Sequence, residues 1–114
     1  MDNGQIVYEY NLFIIQRTKI RSKAKLPAGE TTIEVETSYS GGEVKPAGPL
    51  DITMRVGGKE FAKGTVPVSA PLLFSANDCL DFGIALGSPV SLDYYDHAPF
   101  PFNGTIKRVH VKYT

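Results

Sequence analysis

The stretch Leu50-Asp-Ile-Thr-Met-Arg-Val-Gly-Gly-Lys-Glu-Phe-Ala-Lys-Gly-Thr-Val66 decides the fold class of this 114-residue chain. Its first seven residues alternate between apolar and polar side chains, which is the period of a half-buried β-strand. The apolar positions are Leu50, Ile52, Met54 and Val56. Gly57-Gly58 follows directly, and a second extended run begins at Lys59. Glycine supplies the positive φ that both central positions of a type I′ turn require, so the stretch predicts a tight β-hairpin.

Alternation of the same period recurs along the chain, and no stretch has the 3.6-residue period of a helix. The segments that we expect to be extended are residues 6–15, 16–25, 30–39, 50–56, 59–66, 72–74, 80–86 and 105–113. Residues 6–15 are apolar on both faces, which predicts a strand that is central or covered on each side. In the last segment Ile106 breaks the spacing, which indicates a β-bulge or a side chain that faces the opposite sheet.

Short strands separated by turn residues at short intervals are typical of antiparallel β-sandwiches. The sequence therefore predicts an all-β fold, an antiparallel β-sandwich of the jelly-roll or concanavalin-like kind with seven to nine short strands. Because no composition shift or linker divides the chain, we expect residues 1–114 to form a single domain.

Composition excludes several classes of function. The 12 basic and 12 acidic residues cancel, which argues against a nucleic-acid binder that works through bulk electrostatics. No apolar run approaches the roughly 18–20 residues that cross a bilayer, so no membrane partner is expected. The first residues lack the basic and apolar regions of a secretory signal, and the compartment is left open. With one cysteine, Cys79, the chain is not a disulfide scaffold. We also expect no cofactor.

Several segments, in their order and spacing, resemble the C-terminal β-sandwich domain of bacterial arylsulfatases of the sulfatase family. They are Gly4-Gln-Ile-Val-Tyr-Glu-Tyr-Asn11, Leu26-Pro-Ala-Gly29, Met54-Arg-Val-Gly-Gly-Lys59, Phe74-Ser-Ala-Asn-Asp-Cys-Leu-Asp-Phe-Gly83, Gly87-Ser-Pro-Val-Ser91 and Pro101-Phe-Asn-Gly-Thr-Ile-Lys-Arg-Val-His-Val111. The resemblance covers nearly the whole chain. It implies an accessory domain that packs on a sulfatase catalytic domain and helps to shape the substrate cleft or a subunit contact.

The resemblance carries over no catalytic residue. Sulfatases hydrolyse sulfate esters with a formylglycine made in a Cys-x-Pro-x-Arg motif and with a divalent metal, both in the catalytic domain. The one cysteine here reads Cys79-Leu-Asp-Phe-Gly83, without the proline and arginine. The resemblance therefore implies that this chain is not an enzyme by itself and that the parent protein is a hydrolase.

Five basic residues fall at odd positions of one extended segment and would share one face of a straight strand. They are Arg17, Lys19, Arg21, Lys23 and Lys25. One interpretation is a stripe that binds a polyanion such as a sulfated glycan. The other is a charged edge strand that resists aggregation, or a surface that meets acidic residues of a catalytic domain.

A loop of carboxylates, tyrosines and an imidazole is the second candidate site. Its residues are Asp93, Tyr94, Tyr95, Asp96 and His97. Two carboxylates and an imidazole are metal ligands, and tyrosine rings can stack on a sugar. Tyrosines also pack long loops against a sandwich, so loop packing or an interdomain contact is the alternative.

Two further classes of function stay open at this point. One is a free-standing carbohydrate-binding module with a concanavalin-like or laminin-G-like fold, which would bind a neutral or sulfated glycan. The other is a separately encoded subunit that assembles with a sulfatase chain. An uncovered apolar face on residues 6–15 would also favour a homodimer.

Overall fold

The computed structural model of the chain describes residues 1–12, 15–40, 48–69, 82–84, 93 and 101–112. The described residues form no helix, and their five strands are β1 (Gln5–Leu12), β2 (Gln16–Lys25), β3 (Ile33–Tyr39), β4 (Leu50–Val56) and β5 (Lys59–Val66). The all-β prediction is confirmed. The count of seven to nine strands stays a prediction, because residues 72–74 and most of 80–86 lie outside the described residues. The chain divides into two compact units, Met1–Phe74 and Ser75–Thr114, and the single-domain expectation is untested.

The strands form two antiparallel sheets within the first unit. One is the hairpin β1-β2, and the other is the three-stranded meander β3-β4-β5. Gly57 and Gly58 join β4 to β5 with φ of 58° and 83°, which confirms the predicted two-residue hairpin turn. β4 and β5 have the bounds that the sequence predicts, whereas β3 begins at Ile33 rather than at residue 30.

A second tight turn leads into β1, and the sequence analysis missed it. Asn3 and Gly4 have φ of 50° and 78°, which are the positive values of a type I′ turn. Asp2 and Gln5 flank it and exchange two backbone hydrogen bonds of 3.0 Å. Asn-Gly is the strongest short hairpin signal, so this turn was readable from residues 3–4.

The core lies where the inner faces of the two sheets meet. Its buried members are Ile6, Ile20, Ile52, Met54, Val56 and Val66. The side chains packed around them are Tyr8, Tyr10, Leu26, Leu50, Phe61 and Ala62. The predicted inward face of β4 is confirmed, since Ile52 and Met54 are fully buried.

At Gly64, β5 packs closely against β2. A Cβ at this position would lie 2.7 Å from Cγ1 and 2.8 Å from Cδ1 of Ile20. Such distances are shorter than van der Waals contact, so the side chain of Ile20 occupies the space that glycine leaves empty. β2 can therefore lie directly against β5.

Two predicted strands need correction. Residues 6–15 are not one strand, because β1 ends at Leu12 and the chain reverses into β2. The amide of Ile15 donates to the carbonyl of Leu12 at 2.9 Å, and Ile15 is 86% exposed. Residues 105–112 form no strand, although their apolar side chains alternate. A strand requires a hydrogen-bonded neighbour, and none of the described residues provides one to this segment.

We expect Gly64→Ala to destabilise the chain by about 1–3 kcal/mol, the usual effect of an extra methyl group in a packed core. The same substitution in an Ile20→Val background should cost at least about 0.5 kcal/mol less, because Cδ1 has been removed. Urea unfolding followed by circular dichroism measures both. Lys63→Ala, which changes an exposed neighbour, serves as the control. Equal losses in the two backgrounds would show that contact with Ile20 is not the reason for glycine.

Burial raises the pKa of Tyr8 above 10.0, with a smaller contribution from Tyr10. A raised pKa means that the folded state holds the phenolic proton more tightly, so this stabilisation is complete below pH 10 and disappears as the pH rises through the folded pKa. Tyr8→Phe should therefore lose less stability than the wild type between pH 9 and a pH above 10.0. Urea unfolding at the two pH values measures this. Tyr39→Phe, at an exposed position, should behave as the wild type.

Candidate functional site

The register of the β1-β2 hairpin places four of the five basic residues of β2 opposite alternate residues of β1. Lys25, Arg21, Lys19 and Arg17 lie opposite Gln5, Val7, Glu9 and Asn11 in that order. The even positions Ile20 and Ser22 are buried on the other face, and Lys23 is exposed. The geometry behind the predicted stripe is thus present, while ligand binding by it stays a prediction.

Glu9 engages one end of this stripe. Its carboxylate lies 3.6 Å from Arg17 and 3.6 Å from Lys19, and its side chain is only 6% exposed. Neither carboxylate oxygen accepts a hydrogen bond within the described part of the chain. A carboxylate withdrawn from water needs opposite charge close by. Arg17 and Lys19 therefore compensate Glu9 first, which leaves them poorly suited to an external anion.

Arg21 is held in place by the turn that precedes β1. Its Nη2 lies 2.7 Å from Oδ2 of Asp2, and its Nη1 donates to Oε1 of Gln5 at 3.2 Å. Gln5 in turn donates from Nε2 to the backbone carbonyl of Ser22 at 2.8 Å. The guanidinium group of Arg21 is therefore oriented by Asp2 and Gln5 rather than extended freely into solvent.

Ser22 supplies a hydrogen-bond acceptor at the point where the register of the β1-β2 hairpin shifts. Between Arg21 and Lys25 the register shifts, so that only Ile6 separates their partners on β1. The buried amide of Ile6 donates to Oγ of Ser22 at 3.1 Å, and this hydroxyl donates to the carbonyl of Ala24 at 2.7 Å. The Ser22 hydroxyl thus takes the place of the backbone carbonyl that a regular register would offer to the Ile6 amide. β2 continues beyond this point to Lys25.

An open pocket of about 280 Å³ lies where β2 borders β5. Its lining is Arg21, Lys23, Glu60, Phe61, Ala62 and Lys63, and we call it the β2–β5 pocket. Among the described residues, no ion pair engages Lys23 or Lys63. A bulge in β5 contributes to the lining, because Ala62 lies opposite Met54 and Glu60 opposite Arg55, which leaves Phe61 unpaired.

The sequence analysis found Arg21 and Lys23 but missed the four pocket residues on β5, which are Glu60, Phe61, Ala62 and Lys63. No pattern within β5 relates them to β2, since the two strands are more than 30 positions apart in sequence and belong to different sheets. The packing of β2 on β5, which includes Ile20 on Gly64, brings them together.

The structure describes only one of the five residues of the second predicted site. Asp93 lies in a turn, whereas Tyr94, Tyr95, Asp96 and His97 lie outside the described residues. Among the residues that are described, no three His, Cys, Asp or Glu side chains are placed to hold a metal ion. Across all the residues that the structure describes, no helix is long and apolar enough to span a bilayer.

β3 carries a different surface. Its side chains Ile33, Val35, Thr37 and Tyr39 share the face that β4 buries, and we call them the β3 face. The three large ones are nevertheless 40%, 46% and 37% exposed in chain order. On the opposite side, Nη1 of Arg55 lies 2.6 Å from Glu34 and 2.7 Å from Glu36. Hydrogen bonds to Glu36 and then Glu34 raise the pKa of Arg55.

No protein-family model, no curated protein and no solved structure matches this chain.

We expect Ser22→Ala to destabilise the chain by about 1–3 kcal/mol, because the buried amide of Ile6 loses its acceptor. Ser40→Ala is the matched control, since the Ser40 hydroxyl donates to Pro49 at 3.3 Å in an exposed position. That control should change the free energy of unfolding by no more than about 0.5 kcal/mol. Urea unfolding measures both variants, and equal losses would contradict the role given to Ser22.

Proposed function

We propose that this chain is a non-catalytic accessory domain of an arylsulfatase-like sulfate-ester hydrolase, with an antiparallel β-sandwich fold of the jelly-roll or concanavalin-like kind. In this proposal it docks on the catalytic domain through the β3 face. The observation that carries it is the exposure of Ile33, Val35 and Tyr39 on the same side of the sheet as the buried core.

The β3 face continues the core beyond the cover that the β1-β2 hairpin supplies. Val35 lies opposite Met54, and Ile33 lies opposite Val56, yet both members of β4 are buried while both members of β3 are exposed. The hairpin packs by β2 against β5, at the far edge of the three-stranded sheet from β3. An apolar strand left outside a core favours burial against another surface.

The surroundings of the β3 face fit a protein interface. Protein interfaces combine an apolar centre with a polar rim, and tyrosine is enriched in them because its ring is apolar while its hydroxyl can stay hydrated. Tyr39 ends the apolar row, and the polar side chain of Thr37 lies within it on the same face. This arrangement favours a protein partner over a small apolar ligand.

The resemblance over nearly the whole chain supports a sulfatase catalytic domain as that partner. Because Cys79 is not followed by the proline and arginine of the sulfatase motif, the proposal assigns the chemistry to the partner domain. The role of this chain is then to stabilise the catalytic domain and to contribute to the rim of its cleft.

We expect the DNA upstream of the Met1 codon to continue in frame into a sequence with Cys-x-Pro-x-Arg. In the full-length enzyme, Val35→Lys should place a charge in the interface and split one cooperative thermal transition into two. Ser38→Lys adds the same charge on the opposite side of β3 and should keep a single transition. Differential scanning calorimetry with sulfatase activity measures both variants.

Two results would overturn this proposal. One is a stop codon and ribosome-binding site directly before Met1, which would make the chain a separate protein. The other is a full-length enzyme in which Val35→Lys and Ser38→Lys behave alike, or in which Val35→Lys only separates two identical copies. The last result would assign the β3 face to a homodimer.

A further inference from the structure

We infer that the β2–β5 pocket binds an anionic saccharide, with Lys23 and Lys63 contacting its sulfate or carboxylate group and Phe61 contacting its ring. This inference goes beyond the docking role and does not depend on it. The pocket is built from β2 and β5, whereas the proposed interface is on β3.

The distribution of charge selects this part of the stripe. Glu9 engages Arg17 and Lys19, and Asp2 engages Arg21. Lys23 and Lys63 line the pocket from two different strands, and neither has an ion-pair partner among the described residues. Two cations that line one pocket from separate strands can both contact an anionic group bound there.

The remaining lining fits a sugar better than a simple inorganic anion. Phe61 provides an aromatic ring beside the cations, and Glu60 provides a carboxylate that can accept hydrogen bonds from hydroxyl groups. A few polar groups placed around an apolar wall are typical of small-molecule sites. The volume of about 280 Å³ is small for such a site, which suits one ring of a longer chain.

The same lining disfavours a nucleic acid. Binding to a phosphate backbone depends on the neutralisation of many phosphates by basic residues. Here Glu60 and Asp2 lie next to the cations, and the chain as a whole carries no net charge. A saccharide with occasional anionic groups separated by hydroxyls meets both kinds of charge without this repulsion.

The pocket is supported by regular structure. Arg21 is fixed by Asp2 and Gln5, and the bulge in β5 turns Phe61 out of the backbone ladder. Sites built on strands hold their geometry more closely than sites on loops. The backbone that carries the pocket residues is therefore held in regular structure before a ligand binds.

Isothermal titration of the chain with dextran sulfate oligosaccharides tests the inference, with neutral dextran as the blank. The double variant Lys23→Gln/Lys63→Gln should weaken binding at least about tenfold, since two charge-assisted contacts are removed. Phe61→Leu should weaken it several-fold without a change in charge. Lys59→Gln/Lys112→Gln removes the same charge at exposed positions outside the pocket and should bind within about twofold of the wild type.

Three results would overturn the inference. The first is no binding of dextran sulfate above that of neutral dextran. The second is an equal loss in the control pair, which would indicate non-specific attraction of charge. The third is equal or tighter binding of a single-stranded oligonucleotide of the same charge, which would indicate a nucleic-acid surface. The β3 face is intact in all of these variants, so failure here leaves the calorimetric test of docking unaffected.

Discussion

The contact of Ile20 with Gly64 is part of the packing that joins the two sheets, and both candidate surfaces of the first unit depend on that packing. Because glycine has no side chain, β2 can lie against β5 with Ile20 in the space above the backbone. This places the hairpin over one side of the three-stranded sheet and closes the core around Ile52 and Met54. The same placement leaves β3, the strand at the other edge of that sheet, without cover from the hairpin.

Both candidate surfaces therefore depend on how the β1-β2 hairpin packs against the three-stranded sheet. Where β2 meets β5, basic residues of the hairpin come beside Phe61 and Lys63 and form the β2–β5 pocket. Where the hairpin does not reach, the β3 face stays exposed. Ser22 maintains the irregular part of β2 beside the pocket, since its hydroxyl takes the place of a backbone acceptor for Ile6. The pocket and the face can then serve different partners without competing.

Local sequence signals gave correct predictions where the cause of the structure is local. The alternation of β4, the Gly57-Gly58 turn and the shared face of Arg17, Lys19 and Arg21 all depend on side-chain period and on glycine geometry. The long strand over residues 6–15 was wrong, because an apolar run does not reveal where a chain reverses. The strand over 105–113 was wrong within its described residues, because alternation creates the potential to pair but supplies no partner strand.

The all-β class, the inward side chains of β4 and the positions of the basic residues along β2 can be predicted from residues that lie close together along the chain. The tertiary structure decided which basic residues are compensated, which are left to line a pocket, and which apolar face is uncovered. Those outcomes depend on contacts such as Arg21 with Asp2 and Ile20 with Gly64, whose partners are far apart in sequence. No period or short motif records such a contact, since the first exists only once the β1-β2 hairpin has formed and the second only after the two sheets have packed.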